Sequence, residues 1–407
     1  MKKTVPVSDL KFGNYVHELD RPWTDTPFMF QGFVLRTPDQ LEVIRKFCKS
    51  VTIDTERSET GTDARLQSLS SGATAPKAAA SSTGKTNYVE TASIEQELQR
   101  ARTDYAQCQA VVSQMLGSVR SGRTLDADQI EGAVTSMAQS VVRNPDALLL
   151  YAQLSEKGEY TISHALDVAV YMIAFGRFLQ MSEDKIILLG HLGLLQDIGK
   201  IRLPNLLLEK RDRLSMEEFE QAKLHVKYSA EILAATPGLP ADLAKLALLH
   251  HERHDGSGYP NQLKGKEIGT IGSIAAIIDT FDALTVHRPY AAPVAPSVAL
   301  NMLYKWRSTF FDAVLVEQFI RCIGIFPVGS VVELNSGEIG IVIAQNLVKR
   351  LQPRVMVTRD EKGNPLRPQK LLDLSRNPKM SADEVYRIRR TLELGRITVR
   401  PEELFMQ

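Results

Sequence analysis

A carboxylate set inside an apolar helix has to find a counter-charge, and this sequence makes that demand repeatedly. The segment IAAIIDTFDAL, residues 274–284, carries Asp279 and Asp282 among side chains that otherwise belong in a core. Three residues apart on a helix, they share a face. A third acid, Asp197, ends the apolar run LGHLGLLQD, next to Gln196. Burying an ionised carboxylate alone costs several kcal/mol, so Arg, Lys or a metal must compensate. The basic residue nearest downstream of Asp279 is Arg288. The fold must therefore be one that gathers partners for these acids from elsewhere in the chain.

The histidines indicate which partners. Of eight in the chain, His164, His191, His225, His250, His251, His254 and His287 fall between 164 and 287, and only His17 stands apart. A single His on an apolar helix is usually a hydrogen-bonded core residue. Several at once, among acids, suit a divalent transition metal such as Fe, Mn, Ni or Zn. His250 and His251 are adjacent, so on a helix they diverge by about 100°. They serve one site only if it is broad or lies at a helix end. A two-metal centre with ions about 3.5–4 Å apart is broad enough, and such centres stabilise in-line attack on phosphoesters. The string HDGSGYP, residues 254–260, forces a loop directly after this pair.

The 407 residues allow two or three domains with real cores. Basic and acidic residues balance at 49 against 48, so no global charge steers the chain to a nucleic acid polymer or a membrane surface. No run approaches the ~18 apolar residues of a membrane span. The three cysteines, Cys48, Cys108 and Cys322, form neither a metal-type pair nor a disulfide framework, which suits a reducing, cytoplasmic setting.

Along the chain, 1–57 reads as a small α+β domain, with a helix over 37–48, a strand over 50–54 and an aromatic-dense segment at 23–33. Residues 58–92 read as a disordered linker, since RSETGTDARLQSLSSGATAPKAAASSTGKT lacks Ile, Val, Phe, Met, Trp and Tyr. Residues 93–155 read as a helical connector that either pairs within a dimer or folds as a hairpin. Helices are expected over 161–179, 182–195, 215–236, 241–253, 271–285, 297–306 and 311–323, the body of a domain over 156–327. Ser215 with Glu218 forms a capping box. Strands around Asn335-Ser336-Gly337 imply a small β-barrel-like region over 328–375. Ser381 with Glu384 caps a last helix within 376–407. The fold class is mainly α, with small N-terminal α+β and C-terminal β parts.

The order His164, Asp197-Ile-Gly-Lys200, His225, HHERHDGSGYP and DTFDALTVHRPY resembles the HD-GYP phosphodiesterases, a branch of the HD superfamily. The first 57 residues look like the small domain of unknown function that often precedes it in bacteria. The resemblance implies an all-helical catalytic domain that hydrolyses cyclic di-GMP to pGpG or GMP in second-messenger signalling. It implies two divalent ions, Fe, Mn, Ni or similar. One would take His164, Asp197 and Asp279, with Asp197 bridging to a second on His225, His250 and His251. Lys200 would face the scissile phosphate and Asp282 would support the attacking water. Tyr259, Gly258, Pro260 and Arg288 would bind the dinucleotide. Partners implied are cyclic di-GMP, a diguanylate cyclase-type signalling protein and a second copy of the chain.

Three departures qualify that pattern. Gln196 stands where the metal-binding His of the His-Asp pair belongs, and an amide oxygen is a weaker ligand than imidazole for late first-row metals. Tyr160 occupies the place of the Glu that supports a third metal, although Glu159 is adjacent. Ala291 replaces a base that commonly follows the RPY. The expected outcome is a phosphodiesterase with a weakened metal site. The alternative is a catalytically silent receptor or scaffold that binds cyclic di-GMP or a partner protein.

Overall fold

A computed structural model describes residues 2–20, 33–35, 38–55, 86–155, 158–210, 212–286, 292–392 and 401–404. The chain divides into two compact units, 1–83 and 84–407.

In the first unit, β1 (Lys2–Pro6), β2 (Tyr15–Leu19), β3 (Phe33–Val34) and β4 (Ser50–Asp54) form an antiparallel sheet in the order β1-β4-β2-β3. Helix α1 (Pro38–Phe47) precedes β4. Alternation in the strands turns Val5, Val16, Val51 and Ile53 inward, where Leu35, Ile44 and Cys48 are also buried. The aromatic residues 23–32 lie outside the described residues.

The second unit begins with an extended segment that corrects part of the linker expectation. Residues 58–85 lie outside the described residues, but 86–92 are docked. Thr86 N donates to Gln180 O, Tyr88 Oη donates to Met181 O and Thr91 N donates to Arg143 O. Tyr88, an aromatic with a polar tip, anchors what composition alone assigned to coil.

Helices α2 (Ile94–Arg120), α3 (Ala127–Arg143) and α4 (Pro145–Leu154) follow. The α2 and α3 helices form a hairpin rather than separate rods. Buried Glu97 holds it together, accepting from Ser140 Oγ at 2.9 Å and from Arg143 Nε and Nη2 at 2.9 and 2.7 Å. Asn144 breaks the second expected helix by capping Asp146 and Ala147, with Pro145 in the first turn.

The helical body continues with α5 (Tyr160–Phe178), α6 (Glu183–Leu195), a 3₁₀ turn at Ile198–Arg202, α7 (Asn205–Leu208), α8 (Met216–Ala234), α9 (Leu243–Ala247), α10 (Gly269–Thr285), α11 (Pro296–Trp306) and α12 (Ala313–Ile323). Ser215 and Glu218 make the expected capping box at the start of α8. The helix expected over 241–253 is shortened to α9. After Ala247 the chain tightens, with Leu248 N donating to Lys245 O and Leu249 N to Leu246 O. Three-residue turns of this kind wind more steeply than an α-helix. Among the described residues no helix is long and apolar enough to cross a membrane.

The C-terminal strands are β5 (Val331–Leu334), β6 (Ile339–Ala344), β7 (Arg354–Arg359), β8 (Pro365–Asp373) and β9 (Ile388–Thr391), in the order β8-β7-β6-β5-β9. Gly337, with φ of 87°, makes the β5–β6 turn that the sequence signals. The sheet is open, with β8 and β9 at its two edges, so the barrel-like expectation is corrected. The helix expected after Ser381 is also absent among the described residues of 376–407. Ser381 Oγ does accept from Glu384 N, but Met380 N donates to Glu384 O and closes the turn there. The following IRRT then pairs with β5, where Arg389 and Arg390 meet the buried carboxylate of Glu333. Pairing with β5 takes the place of the expected helix.

Candidate metal centre

Helices α5 and α10 are locked by aromatic rings. Phe281 of α10 meets Tyr171 of α5 edge-on at 5.3 Å and Phe319 of α12 at 5.2 Å, while Phe175 meets Phe319 at 5.3 Å. All four rings are buried. Two turns before Tyr171 on the same helix stands His164, and on α10 stand Asp279 and Asp282. The rings therefore fix the spacing of these polar groups.

Asp197 is set by a different contact. It leads into the 3₁₀ turn, which packs on α8 through Gly199. Gly199 N donates to Ser229 Oγ at 2.9 Å. A Cβ at Gly199 would lie 2.2 Å from His225 O and 2.3 Å from Ser229 N. No side chain fits such an approach, and the approach puts Asp197 against His225.

Two helices, α5 and α8, the 3₁₀ turn and the turn after α9 thus converge on one carboxylate. Asp197 Oδ1 lies 3.2 Å from His225 Nε2 and 3.5 Å from His250 Nε2. Its Oδ2 lies 3.1 Å from His164 Nε2 and accepts from Lys200 Nζ at 2.7 Å. His164 Nε2 also lies 3.2 Å from Asp279 Oδ1, and His251 Nδ1 lies 3.8 Å from Asp279 Oδ2. Two groups of candidate ligands result, Asp197-His225-His250-His251 and His164-Asp197-Asp279, with Asp197 common to both.

The tautomers fit a bound cation. His225 Nδ1 lies 2.6 Å from Ala222 O and His250 Nδ1 lies 2.8 Å from Ala247 O. A carbonyl only accepts, so each Nδ1 carries the proton and each Nε2 offers a lone pair. The two Nε2 atoms nevertheless stand 3.4 Å apart and both face Asp197 Oδ1. That oxygen is buried without a hydrogen bond of good geometry, as is Gln196 Oε1. Lone pairs crowded in this way repel unless a cation joins them. Backbone carbonyls and carboxylates behind ligand imidazoles are the usual second layer of such sites.

The charges follow from burial and neighbours. Burial opposes the charge on His164, but Tyr160 and the hydrogen bonds to Asp197, Asp279 and Asp282 outweigh it and hold its pKa well above the ordinary value. Burial alone would raise Asp197; the charge of Lys200 and the hydrogen bond with His164 instead hold it well below the carboxylate range. Asp279 is likewise lowered against burial, by His164 and His251. Lys200 is raised against burial by Asp197, Tyr160 and Asp279, so it keeps its proton. Burial lowers His225, and burial with the neighbouring His250 lowers His251 well below normal, leaving both neutral.

Some residues stand elsewhere than the sequence suggests. Asp282 does not share the open face with Asp279. It is fully buried behind His164, with Oδ2 at 2.6 Å from Nδ1, so it orients that imidazole rather than a water. Gln196 is buried and points its amide at the cluster, with Nε2 at 3.5 Å from Asp279 Oδ1. His191 faces away, towards Ile187 O and Glu131. Tyr160 stacks on His164 at 5.4 Å. Arg288 and His287 lie outside the described residues.

The GYP loop reaches the cluster through one residue. Tyr259 stacks at 4.7 Å from His251, and its backbone N donates to His251 O. Gly258 has a packing task instead, since a Cβ there would meet Arg253 N at 2.4 Å. Pro260 is exposed. The loop is held by Glu252, which sequence reading passes over. Fully buried, its carboxylate accepts from Asn261 N at 2.7 Å and Leu263 N at 3.0 Å. The signal available was an acid placed between His251 and a turn-rich loop whose N–H groups need acceptors.

A cavity of about 500 Å³ opens over the cluster. His164, Lys200, His225, His251 and Asp279 form its floor, and Phe219, Tyr259 and Leu207 are among its walls. Phe219 meets Tyr259 edge-on at 6.2 Å, and Lys223 Nζ lies over both rings at 4.8 and 5.5 Å.

Three family models match: a domain of unknown function over residues 2–130, an HD domain over 149–315 and a KOW domain associated with HD domains over 331–390. The cyclic di-GMP phosphodiesterase PA4108 of Pseudomonas aeruginosa is 31% identical over 379 residues, covering 92% of this chain and 90% of its own. A cyclic di-GMP phosphodiesterase of Thermotoga maritima is 40% identical over 128 residues, 31% of this chain and 35% of its own. The 3'3'-cGAMP-specific phosphodiesterase 3 of Vibrio cholerae is 33% identical over 171 residues, 42% of this chain and 37% of its own. The match to the Pseudomonas protein runs nearly end to end, and the chain belongs to the HD-GYP family of the HD superfamily.

Proposed function

We propose that this chain is a metal-dependent phosphodiesterase that hydrolyses cyclic di-GMP to pGpG or GMP. One observation carries the reading: His225 Nε2, His250 Nε2 and Asp197 Oδ1 converge as lone pairs, and Asp197 belongs to both ligand groups. Among the residues present, His164, Asp197 and Asp279 would hold one divalent ion, and Asp197, His225, His250 and His251 a second. Such ions supply charge neutralisation at a phosphodiester and ionisation of water near neutral pH.

The chain's own residues do the rest. Lys200 holds a proton on Nζ at the cavity floor, where it neutralises an approaching phosphate and protonates a departing ribose oxygen. Asp282 holds the His164 ring with Nε2 toward the cluster. Phe219 and Tyr259 offer π faces to a purine, with Lys223 beside them. Glu252 fixes the loop that carries Tyr259. Both the cyclic di-GMP relatives and the 3'3'-cGAMP-specific one act on cyclic dinucleotides, which supports a substrate of that class.

A second reading, binding without turnover, rests on Gln196. Its amide takes the place of a ligand imidazole, and Oε1 is buried without a partner. Assay of cyclic di-GMP and 3'3'-cGAMP with Mn, Fe or Ni, on the wild type and His250→Ala, separates the two. Metal-dependent turnover of cyclic di-GMP, lost in His250→Ala, is the expected result. Binding with no turnover under any metal would leave only the second reading.

The same proposal gives the protein a cytoplasmic setting, in keeping with three free cysteines, and a diguanylate cyclase-type partner. The inward faces of α2 and α3 are used within the chain, so a homodimer through 93–155 would form on their exposed faces. Light scattering on the full chain checks its mass.

A further inference from the structure

The cavity has a wall that the HD-domain match does not include. Leu116 and Arg120, at the end of α2, line it together with residues of α5, α8 and the 254–260 loop. They fall within 2–130, the region matched by the domain of unknown function, and outside 149–315. Their place is fixed by packing. The buried face of α2 includes Ala101, Tyr105, Cys108, Val112, Met115 and Leu116, and Tyr105 meets Tyr151 of α4 edge-on at 5.4 Å.

We propose that Arg120 binds the second phosphate of the cyclic dinucleotide, the one that is not cut. The inference rests on the substrate class proposed above and concerns a residue which that reading does not use. A cyclic dinucleotide carries two phosphodiesters on opposite sides of one ring. When one lies over the metal-ligand cluster, the other must lie elsewhere in the same cavity. Among the described residues, Arg120 and Lys200 are the only Lys or Arg side chains lining it. Lys200, 2.7 Å from Asp197, stands at the cluster, where the phosphate that is cut lies. Much of the remaining wall is apolar, with Leu203, Leu207, Leu208 and Leu214, and it also carries the acids Glu159 and Glu209. Of the two lining cations, that leaves Arg120 for an anion at this wall.

Arg120 is also free to move to it. Its Nη2 lies 3.4 Å from Glu159 Oε1, with the two side chains 60% and 49% exposed. A pair this long and this wet is weakly held. A guanidinium offers two parallel N–H donors to a phosphate, which a lone carboxylate contact at that distance does not use.

The test compares Arg120→Ala and Arg120→Lys with wild type on cyclic di-GMP and on bis(p-nitrophenyl) phosphate, which has a single phosphodiester. Loss of a contact made equally in ground and transition states raises KM and spares kcat. Arg120→Ala is expected to raise KM for cyclic di-GMP roughly tenfold with kcat within about twofold, as uniform binding is lost. The ratio of kcat/KM between the two substrates should fall by the same factor, and Arg120→Lys should recover most of it. An unchanged ratio, or an equal loss on both substrates, overturns the inference. Calorimetric binding of cyclic di-GMP to the full chain decides the matter independently of turnover. If wild type turns over neither substrate, the catalytic reading fails, while a roughly tenfold weaker Kd in Arg120→Ala still upholds this one. An unchanged Kd rejects it.

Discussion

Nδ1 of His164 lies 2.6 Å from Oδ2 of Asp282, and that contact is hidden from the cavity on the far side of the imidazole. The carboxylate fixes the ring so that Nε2 faces Asp197 and Asp279. Partners of this kind typically contribute about 10–100-fold to metal affinity. Asp282→Asn should therefore weaken Mn binding in calorimetric titration, with turnover recovered at high metal. Unchanged affinity would show that His164 needs no support.

Gln196 points a neutral amide at the same cluster. Replacing it with imidazole should tighten binding of Ni or Fe by at least about tenfold, ~1.4 kcal/mol. Gln196→His checked by competition with a chelator reads this directly. Equal or weaker affinity would place the amide outside the ligand set.

Gly199 is the hinge of the Asp197 geometry. A methyl group there would overlap backbone of α8, and a backbone shift is the only relief. Overpacking typically costs about 1–3 kcal/mol, and more where backbone must move. Gly199→Ala should lower the denaturation midpoint and release metal together. A change below about 1 kcal/mol would mean that the turn moves freely.

Away from the centre, Asp146 predicts a pH dependence of stability. Burial raises its pKa to about 7, although Gln345 N donates to it; Glu90 adds to the rise, while Arg177 and Arg354 oppose it. The folded form therefore holds its proton more tightly than the unfolded chain. The stability this contributes is full below the unfolded value near pH 4 and is lost as pH rises through about 7. Asp146→Asn should gain stability relative to wild type at pH 8 compared with pH 5, measured by urea denaturation at both. An equal offset at the two values would contradict this.

The convergence of these residues was legible because chemistry constrained it. Asp279 in an apolar helix and His225 and His250-His251 on others demanded a common partner, and Asp197 supplies it. The role of Asp282 was not legible, since spacing puts it on the face of Asp279 while packing turns it behind His164. The short α9 escaped detection because LAKLALLHH keeps its apolar pattern through the turn that brings His250 and His251 to one side. Arg120 was missed because tertiary packing, more than 40 residues ahead of His164, carries it to the cavity. In the tail, Ser381 and Glu384 spelled a helix start, and Glu333 drew the following arginines into a strand instead.

The central claim is that one carboxylate, Asp197, serves both metal-ligand groups, and metal content with cyclic di-GMP turnover on the same sample of Asp197→Ala tests it most directly. The predicted result is loss of bound metal and of turnover together, where His250→Ala keeps part of its metal. An Asp197→Ala protein that retains wild-type metal content and turnover would contradict it.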